Sequence, residues 1–349
     1  GTTSATYVWD ALQRKTTETV NYGAFTQTYR YAYHADGKKK SLIYPDSAVV
    51  GYTFDGNNQL AGIQLPSGSI SYNGYKWGVP TKIVLPGGTT RQYTYDPLLR
   101  IEIISAKDGA QSVLMNYQYG YDKVDNIVSK STEHGDYSYG YDALYRLTQA
   151  TNPTPLANES YTYDGVGNRL TDSKAAGTWN YNADSQLTSQ GNVSYQYDVN
   201  GNTVQKTDNG QVANYVYDSF NRLAQVKDGA NNVIAQYAYD PFGRRIMKEG
   251  NGIKPYFLYS DEGLLAEFDA SGALQVAYGF APDGTWSTNP IFLRNASGIY
   301  FYHNDHLGTP KKLTAIDGTV VWSARTQAFG AMNVDSTSTV TNNLRFAGQ

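Results

Sequence analysis

The 349 residues include no cysteine, 32 tyrosines and 34 glycines, and 28 basic side chains stand against 31 acidic ones, a net charge of -3. The absence of cysteine excludes disulfides and thiolate metal sites. The near balance of charge argues against nucleic acid or an anionic membrane as principal partner, and no apolar run reaches membrane-spanning length. An aromatic fraction of 14% is too high for disorder, while a mean hydropathy of -0.52 is too low for a thick dry core. Together they point to thin β-layers with at least one wetted face.

Residues 1–50 carry the faintest pattern. The run "YRYAYHADGKKKSLIY" reads as a worn repeat, so a repeat array is expected to open near Tyr29, with 1–50 as degenerate N-terminal repeats. Lys38 to Lys40 form the one basic run of three.

From residue 51 to about 300 one phrase recurs, an aromatic residue, any residue, an aromatic residue and an aspartate. It ends at Asp55, Asp96, Asp122, Asp142, Asp164, Asp198, Asp218 and Asp240. Degenerate copies fall at Asp184, Asp261, Asp283 and Asp305. From Asp122 the steps are 20, 22, 20, 14, 20, 22, 21, 22 and 22 residues, the mark of a repeat architecture. Alternate tyrosines lie on one face of a strand, and the aspartate can end that strand by accepting backbone N–H bonds just ahead of it. Three residues later come Asn58, Asp125, Gly167, Gly201, Asn221 and Gly243, types that tolerate positive φ. Leu99 and Tyr145 break this rule, so their two turns are expected to differ. An apolar residue such as Leu60, Leu147, Leu170 or Leu223 then opens the returning strand. A second, looser turn at Lys107–Gly109, Asp208–Gly210, Lys227–Gly229 or Ser271–Gly272 completes each repeat. No 3.6-residue periodicity is evident, so the fold class is all-β, with successive hairpins joining edge to edge.

A polar set that recurs about once per turn is better explained by turn chemistry than by catalysis. The residues singled out, the eight aspartates and Gly167, Gly201 and Gly243, are therefore read as structural. "DGNNQ" at 55–59 and "DVNGN" at 198–202 lack the spacing and terminal glutamate of a calcium loop. His303, Asp305 and His306 could suggest metal ligation, but residues 303 and 306 point to opposite faces of a strand and no third ligand motif is near. No cofactor, metal site or enzymatic activity is expected. Sequons at Asn158, Asn192 and Asn295 are readily generated by turn-rich sequence.

The segments "YTYDGVGNRL", "YDSFNRL" and "YDPFGRRI" resemble the YD-repeat, or RHS-repeat, family from about Tyr52 onward. Residues 301–349 hold a second signature continuous with the array. His303 to Gly330 is similar to the segment near the end of bacterial RHS cores, with Asp305, His306, Gly308 and Pro310 at its centre, and "NLRFAGQ" at 343–349 is similar to the phrase that follows it. The resemblance implies a strip of hairpins spiralling into a hollow shell, or part of one, around a C-terminal toxin or other cargo. It also implies tyrosine hydroxyls that face a wet lumen, and an exported, secreted or cell-surface protein. Toxin-complex C components and the teneurin shell share the family. Relatives continue past "FAGQ" into a plug and a self-cleavage motif; this sequence stops at Gln349, so no self-cleavage residue is identified. Its length suggests an open portion of the shell, or one completed by self-association or by other shell chains. The rival readings are a glycan-binding adhesive surface built on exposed aromatic rows, and a surface fibre stacked through free strand edges.

Overall fold

The computed structural model describes residues 3–175, 177–284 and 289–345. Among them the regular structure is antiparallel strand joined by tight turns, and the one helical element is the 3-10 turn Pro86–Gly88. Strands alternate aromatic or β-branched residues with small polar ones, which suits a pleated surface with one packed face. The chain divides into two compact units, Gly1–Tyr119 with Ser131–Glu133 and Phe257–Gln349, and Gly120–Lys130 with His134–Tyr256.

In the first unit, hairpins run in chain order from Ser4–Trp9 to Val113–Tyr121, with the short pair Tyr75–Lys76 and Val79–Pro80 set aside from the ladder. The C-terminal strands, from Leu264–Phe268 to Met332–Val334, form a second ordered ladder. Buried apolar side chains lie on both ladders, Tyr29, Ile63, Ile70 and Ile104 among those of the first. Tyr278, Phe280, Leu293, Tyr300, Tyr302, Leu313, Trp322, Ala324 and Leu344 make one buried cluster. The early hairpins seat on it through hydrogen bonds to backbone carbonyls: the Tyr22 hydroxyl donates to Phe257 O at 2.8 Å, Tyr44 to Tyr278 O at 2.8 Å, and Arg91 Nη1 to Tyr302 O at 2.9 Å. Residues more than two hundred positions apart are thereby held together.

The second unit is thinner. Its buried apolar side chains among the described residues are Tyr137, Ala150, Leu156, Tyr161, Ile246 and Tyr256. One face of its hairpins carries half-buried Tyr195, Tyr215 and Tyr237. The other carries amides that bond across strands, Gln196 to Gln205 at 3.1 Å and Gln205 to Asn214 at 2.9 Å. The backbone ladder breaks between Arg169–Asp172 and Trp179–Tyr181. Side chains bridge that seam: the Tyr181 hydroxyl donates to Arg169 O at 2.8 Å, and the Arg169 guanidinium lies 4.4 Å from the centre of the Trp179 ring. Stability here comes from contacts between adjacent hairpins, as in other repeat arrays.

Candidate functional site

The repeated turn has one geometry throughout. At Asp142 the backbone N–H donates to Arg146 O at 3.0 Å, and the N–H of Tyr145 donates back to Asp142 O at 3.0 Å. The carboxylate Oδ1 accepts the N–H groups of Leu144 and Arg146 at 2.9 and 3.0 Å. This is a three-residue hairpin loop, a type I turn closed by a left-handed residue and followed by a bulge. The ladder register slips beside it, between Gly140 and Tyr141.

Oδ1 of Asp55, Asp96, Asp122, Asp164, Asp198, Asp218 and Asp240 accepts the same pair of N–H groups, two and four residues ahead. Gly167, Gly201 and Gly243 occupy the left-handed position with φ of 98°, 84° and 82°. Leu99 and Tyr145 occupy it too, with φ of 63° and 60°. The expectation that their turns differ is therefore corrected: the carboxylate and the hairpin ladder impose the conformation on residues that disfavour it.

The second turns are not uniformly looser. Those at Asp108, Asp228 and Asp269 repeat the aspartate geometry in full backbone detail. The turn after Asp208 is a tight two-residue loop with Asn209 at φ 49° and Gly210 at φ 83°, the Asn-Gly pattern that both left-handed central positions favour. The copy assigned to Asp184 is shifted by two residues, because Asn182 makes the turn and its Oδ1 accepts the N–H groups of Asp184 and Gln186. The returning strands also begin more variably than apolar residues alone suggest, at Arg169, Thr203 and Arg245 in three hairpins. The turn is already complete at Asp10, where Oδ1 takes Leu12 and Arg14 N–H at 2.9 and 3.0 Å. That copy reads "YVWD" and fits the aromatic-x-aromatic-Asp phrase, upstream of Tyr29.

In the principal turns other than that of Asp55, where Gln59 stands, the residue four after the aspartate is an arginine or an asparagine that holds Oδ2. Arg100, Arg146 and Arg222 do so through Nε at 2.6, 2.7 and 2.8 Å, and Asn126, Asn168 and Asn202 through Nδ2 at 2.8, 2.9 and 2.9 Å. The arginines reach further. Nη1 of Arg146 donates to Asp164 O, and that of Arg222 to Asp240 O, both at 2.9 Å, so one turn is tied to the next. The same guanidinium groups lie 4.8 and 5.0 Å from the centres of the Tyr163 and Tyr239 rings. The Arg146 N–H bond holds the Asp142 carboxyl below the usual carboxylate range, and the Arg222 side chain does the same for Asp218.

The tyrosine just before the aspartate has a fixed task. Its hydroxyl donates to the carbonyl five residues after the preceding turn residue. Tyr141 reaches Ile127 O at 2.8 Å, Tyr163 reaches Leu147 O at 2.7 Å, Tyr197 reaches Leu187 O at 2.7 Å, Tyr217 reaches Thr203 O at 3.0 Å and Tyr239 reaches Leu223 O at 2.9 Å. Those carbonyls sit at the bulge, beyond the last paired residues of the neighbouring ladder; Leu223–Asp228, for example, pairs onward only from Gln225. The expectation that these hydroxyls face a wet lumen is thus corrected, since each completes a backbone bond that the bulge leaves open. Desolvation pushes the hydroxyls of Tyr33 and Tyr95 up to about 12.

The C-terminal signature is the same turn with its ion pair moved. Asp305 Oδ1 accepts Leu307 and Thr309 N–H at 3.0 Å each, and Gly308 takes the left-handed position at φ 78°. Thr309 stands where other turns carry arginine or asparagine, and Lys311 holds Oδ2 at 3.0 Å, buried and also bonded to the Thr326 hydroxyl. Burial pushes the Asp305 carboxyl up, but Lys311 prevails and holds it low. Pro310 opens the returning strand Pro310–Thr314 opposite Asn304. His306 leaves the turn to stack edgewise on Tyr119, with ring centres 4.7 Å apart, and Lys312 reaches Leu114 O and the Glu133 carboxylate. His303 is fully buried with Nε2 2.9 Å from Thr314 Oγ1; desolvation, reinforced by Arg91 and Lys312, pushes its pKa down. Among the described residues, no group of three histidine or acidic side chains is placed to hold a metal ion. The final phrase "FAGQ" lies outside the described residues.

One constellation was not legible in the sequence. Lys15 lies 2.8 Å from Glu18 and 2.6 Å from Asp261, while Lys39 lies 2.5 Å from Glu262 and 3.3 Å from Asp261. The Tyr29 hydroxyl donates to Glu18 at 2.6 Å, and that of Tyr31 to Glu262 at 2.8 Å. Glu18, Lys39 and Glu262 are buried. Lys39 belongs to the basic run, so part of that run faces inward rather than toward an external partner.

A family model described as Teneurin YD-shell matches residues 90–349. Double-stranded DNA deaminase toxin A of Burkholderia cenocepacia (strain H111) is 29% identical over 301 residues, 75% of this chain and 21% of that protein. The tRNA3(Ser)-specific nuclease WapA of Bacillus spizizenii is 30% identical over 200 residues, 55% of this chain and 7% of that protein. The chain thus spans about a fifth or less of the curated relatives it matches. Among solved structures, the TcdB2-TccC3 crystal structure superposes with a TM-score of 0.70 at 15% identity, covering 93% of this chain and 20% of that one. The Photorhabdus luminescens Tc holotoxin pore gives 0.69 at 16% identity, covering 92% and 19%. With the family model spanning both signatures and the solved neighbours sharing the hairpin fold, the chain belongs to the teneurin YD-shell family of YD- and RHS-repeat proteins.

Proposed function

We propose that this chain is a non-enzymatic section of an exported YD-repeat wall that encloses or presents a toxin polypeptide carried C-terminal to it. One observation carries the structural reading: the recurrent polar residues are bonded to their own turn or to an adjacent hairpin. Asp142, Arg146 and Tyr163 illustrate the pattern, each satisfied within the scaffold. The aspartates and turn glycines are structural in this reading; Asp305, Gly308 and Pro310 shape the C-terminal turn, and His306 together with Lys312 anchors that hairpin to the strand Val113–Tyr121. Residues 1–50, 51–300 and 301–349 act as one continuous array. The names of the two relatives, a deaminase toxin and a nuclease, support the cargo, and their greater length leaves room for it. Secretion or display at the cell surface follows from such a cargo.

The test is to produce the chain joined to the polypeptide that follows it in its gene and to digest it with a broad-specificity protease. Enclosure predicts that the added segment resists digestion at least tenfold longer than the same segment alone. Digestion at the rate of the isolated segment would refute enclosure.

A further inference from the structure

Arg91 is a buried cation without a counter-charge. It belongs to the strand Thr90–Tyr95 and is only 4% exposed. The residues paired to it on either side, Ile83 and Ala106, are apolar and buried. The guanidinium makes one hydrogen bond, from Nη1 to Tyr302 O at 2.9 Å, and its buried Nε has no partner. Among the described residues no carboxylate forms an ion pair with it, and the residues outside that description include no aspartate or glutamate. A lysine could shed its proton in such a place, but an arginine cannot, and an unpaired buried charge is strongly unfavourable.

The surroundings add positive charge. His303 follows Tyr302, is fully buried, and leaves Nδ1 without a partner. Lys312 stands opposite His303 in the ladder. Arg91 and Lys312 both push the His303 pKa down, beside the larger effect of desolvation, and no carboxylate pushes it up. The nearby Glu133 carboxylate is held by Lys312 at 2.8 Å. With the Thr314 hydroxyl donating to Nε2 at 2.9 Å, the proton of the neutral ring lies on Nδ1. A buried imidazole N–H then joins a buried guanidinium. Water could accept from both but would leave the charge unmet; an anion meets both needs.

We propose that a small inorganic anion, chloride in ordinary salt solutions, binds Arg91 Nε and His303 Nδ1. Both side chains are sealed from solvent, which excludes a side chain of a partner polypeptide as the ligand. The ion ties the early hairpins to the C-terminal ladder within their shared unit.

Thermal unfolding of the whole chain, at one ionic strength made up with sodium chloride or with sodium gluconate, reads the binding, because an ion held only by the folded state raises the melting temperature. Gluconate is too large for a sealed site. The expected result is a saturable rise of about 2 °C or more in chloride. Arg91→Leu, which removes the charge that requires a counter-ion, should abolish the difference between the two salts. Crystals of the unaltered chain grown in sodium bromide provide a second reading, an anomalous-scattering peak in contact with Arg91 Nε. Equal melting temperatures in the two salts, an undiminished chloride effect in Arg91→Leu, or a water alone at that position overturns the proposal.

Discussion

The hydroxyl of the second tyrosine in each repeat can be tested against its neighbour on the same strand. Tyr217 and Tyr215 lie two residues apart on Gln211–Tyr217, with their side chains on one face. The Tyr217 hydroxyl donates to Thr203 O at 3.0 Å, whereas among the described residues the Tyr215 hydroxyl has no hydrogen-bond partner. Replacing either by phenylalanine keeps the ring, so each difference isolates one hydroxyl. Loss of a phenol-to-carbonyl bond costs about 0.5–1.5 kcal/mol net. Because the site is half-buried, water can reach the released carbonyl, and about 1 kcal/mol is expected. Tyr215→Phe should lie within ±0.5 kcal/mol of the parent. A repeat array need not unfold in one step, so hydrogen exchange is a better assay than a global melt. Tyr217→Phe should lower protection about fivefold in the hairpins Val193–Tyr197 with Thr203–Asp208 and Gln211–Tyr217 with Leu223–Asp228, leaving distant hairpins unchanged. Equal effects from the two substitutions, or none from Tyr217→Phe, would refute the assignment of that hydroxyl to the bulge.

Leu99→Asn should stabilise the chain by about 0.5–1 kcal/mol, because the left-handed conformation at φ 63° penalises leucine and is tolerated by asparagine; a lowered melting temperature would count against it. Lys39→Met should destabilise by about 3–5 kcal/mol, since it leaves Glu262 buried without its ammonium partner, and adding Glu262→Leu should recover most of the loss. A double variant as unstable as the single one would show that the cluster is not a coupled pair. Alkaline titration gives a fourth test. Tyr33 and Tyr95 are pushed to about 12 by burial, above the value near 10 of the unfolded chain, so their contribution is complete below about pH 10 and is lost as pH rises toward 12. Tyrosinate absorbance that appears fully near pH 10 in the folded protein would contradict this.

The sequence by itself determined the repeat, the strand class and the place of each principal turn, because these depend on contacts within about five residues. An aspartate can fold its carboxylate only onto the amides just ahead of it, and alternation sets which tyrosines share a face. The tasks of Tyr163 and Arg146 were less legible, since one acts on the preceding hairpin and the other on the next, and spacing alone does not say which bulge carbonyl or turn will lie opposite. Leu99 and Tyr145 mark the limit of local propensity: ladder and carboxylate together outweigh the preference of one residue. Only the tertiary structure decided the pairing of Lys15 and Lys39 with Asp261 and Glu262, the stacking of His306 on Tyr119, and the reach of Lys312 to Leu114. Those partners lie roughly two hundred residues apart in the chain. They meet because the C-terminal strands seat on the early hairpins within one unit, and the repeat period carries no record of that docking.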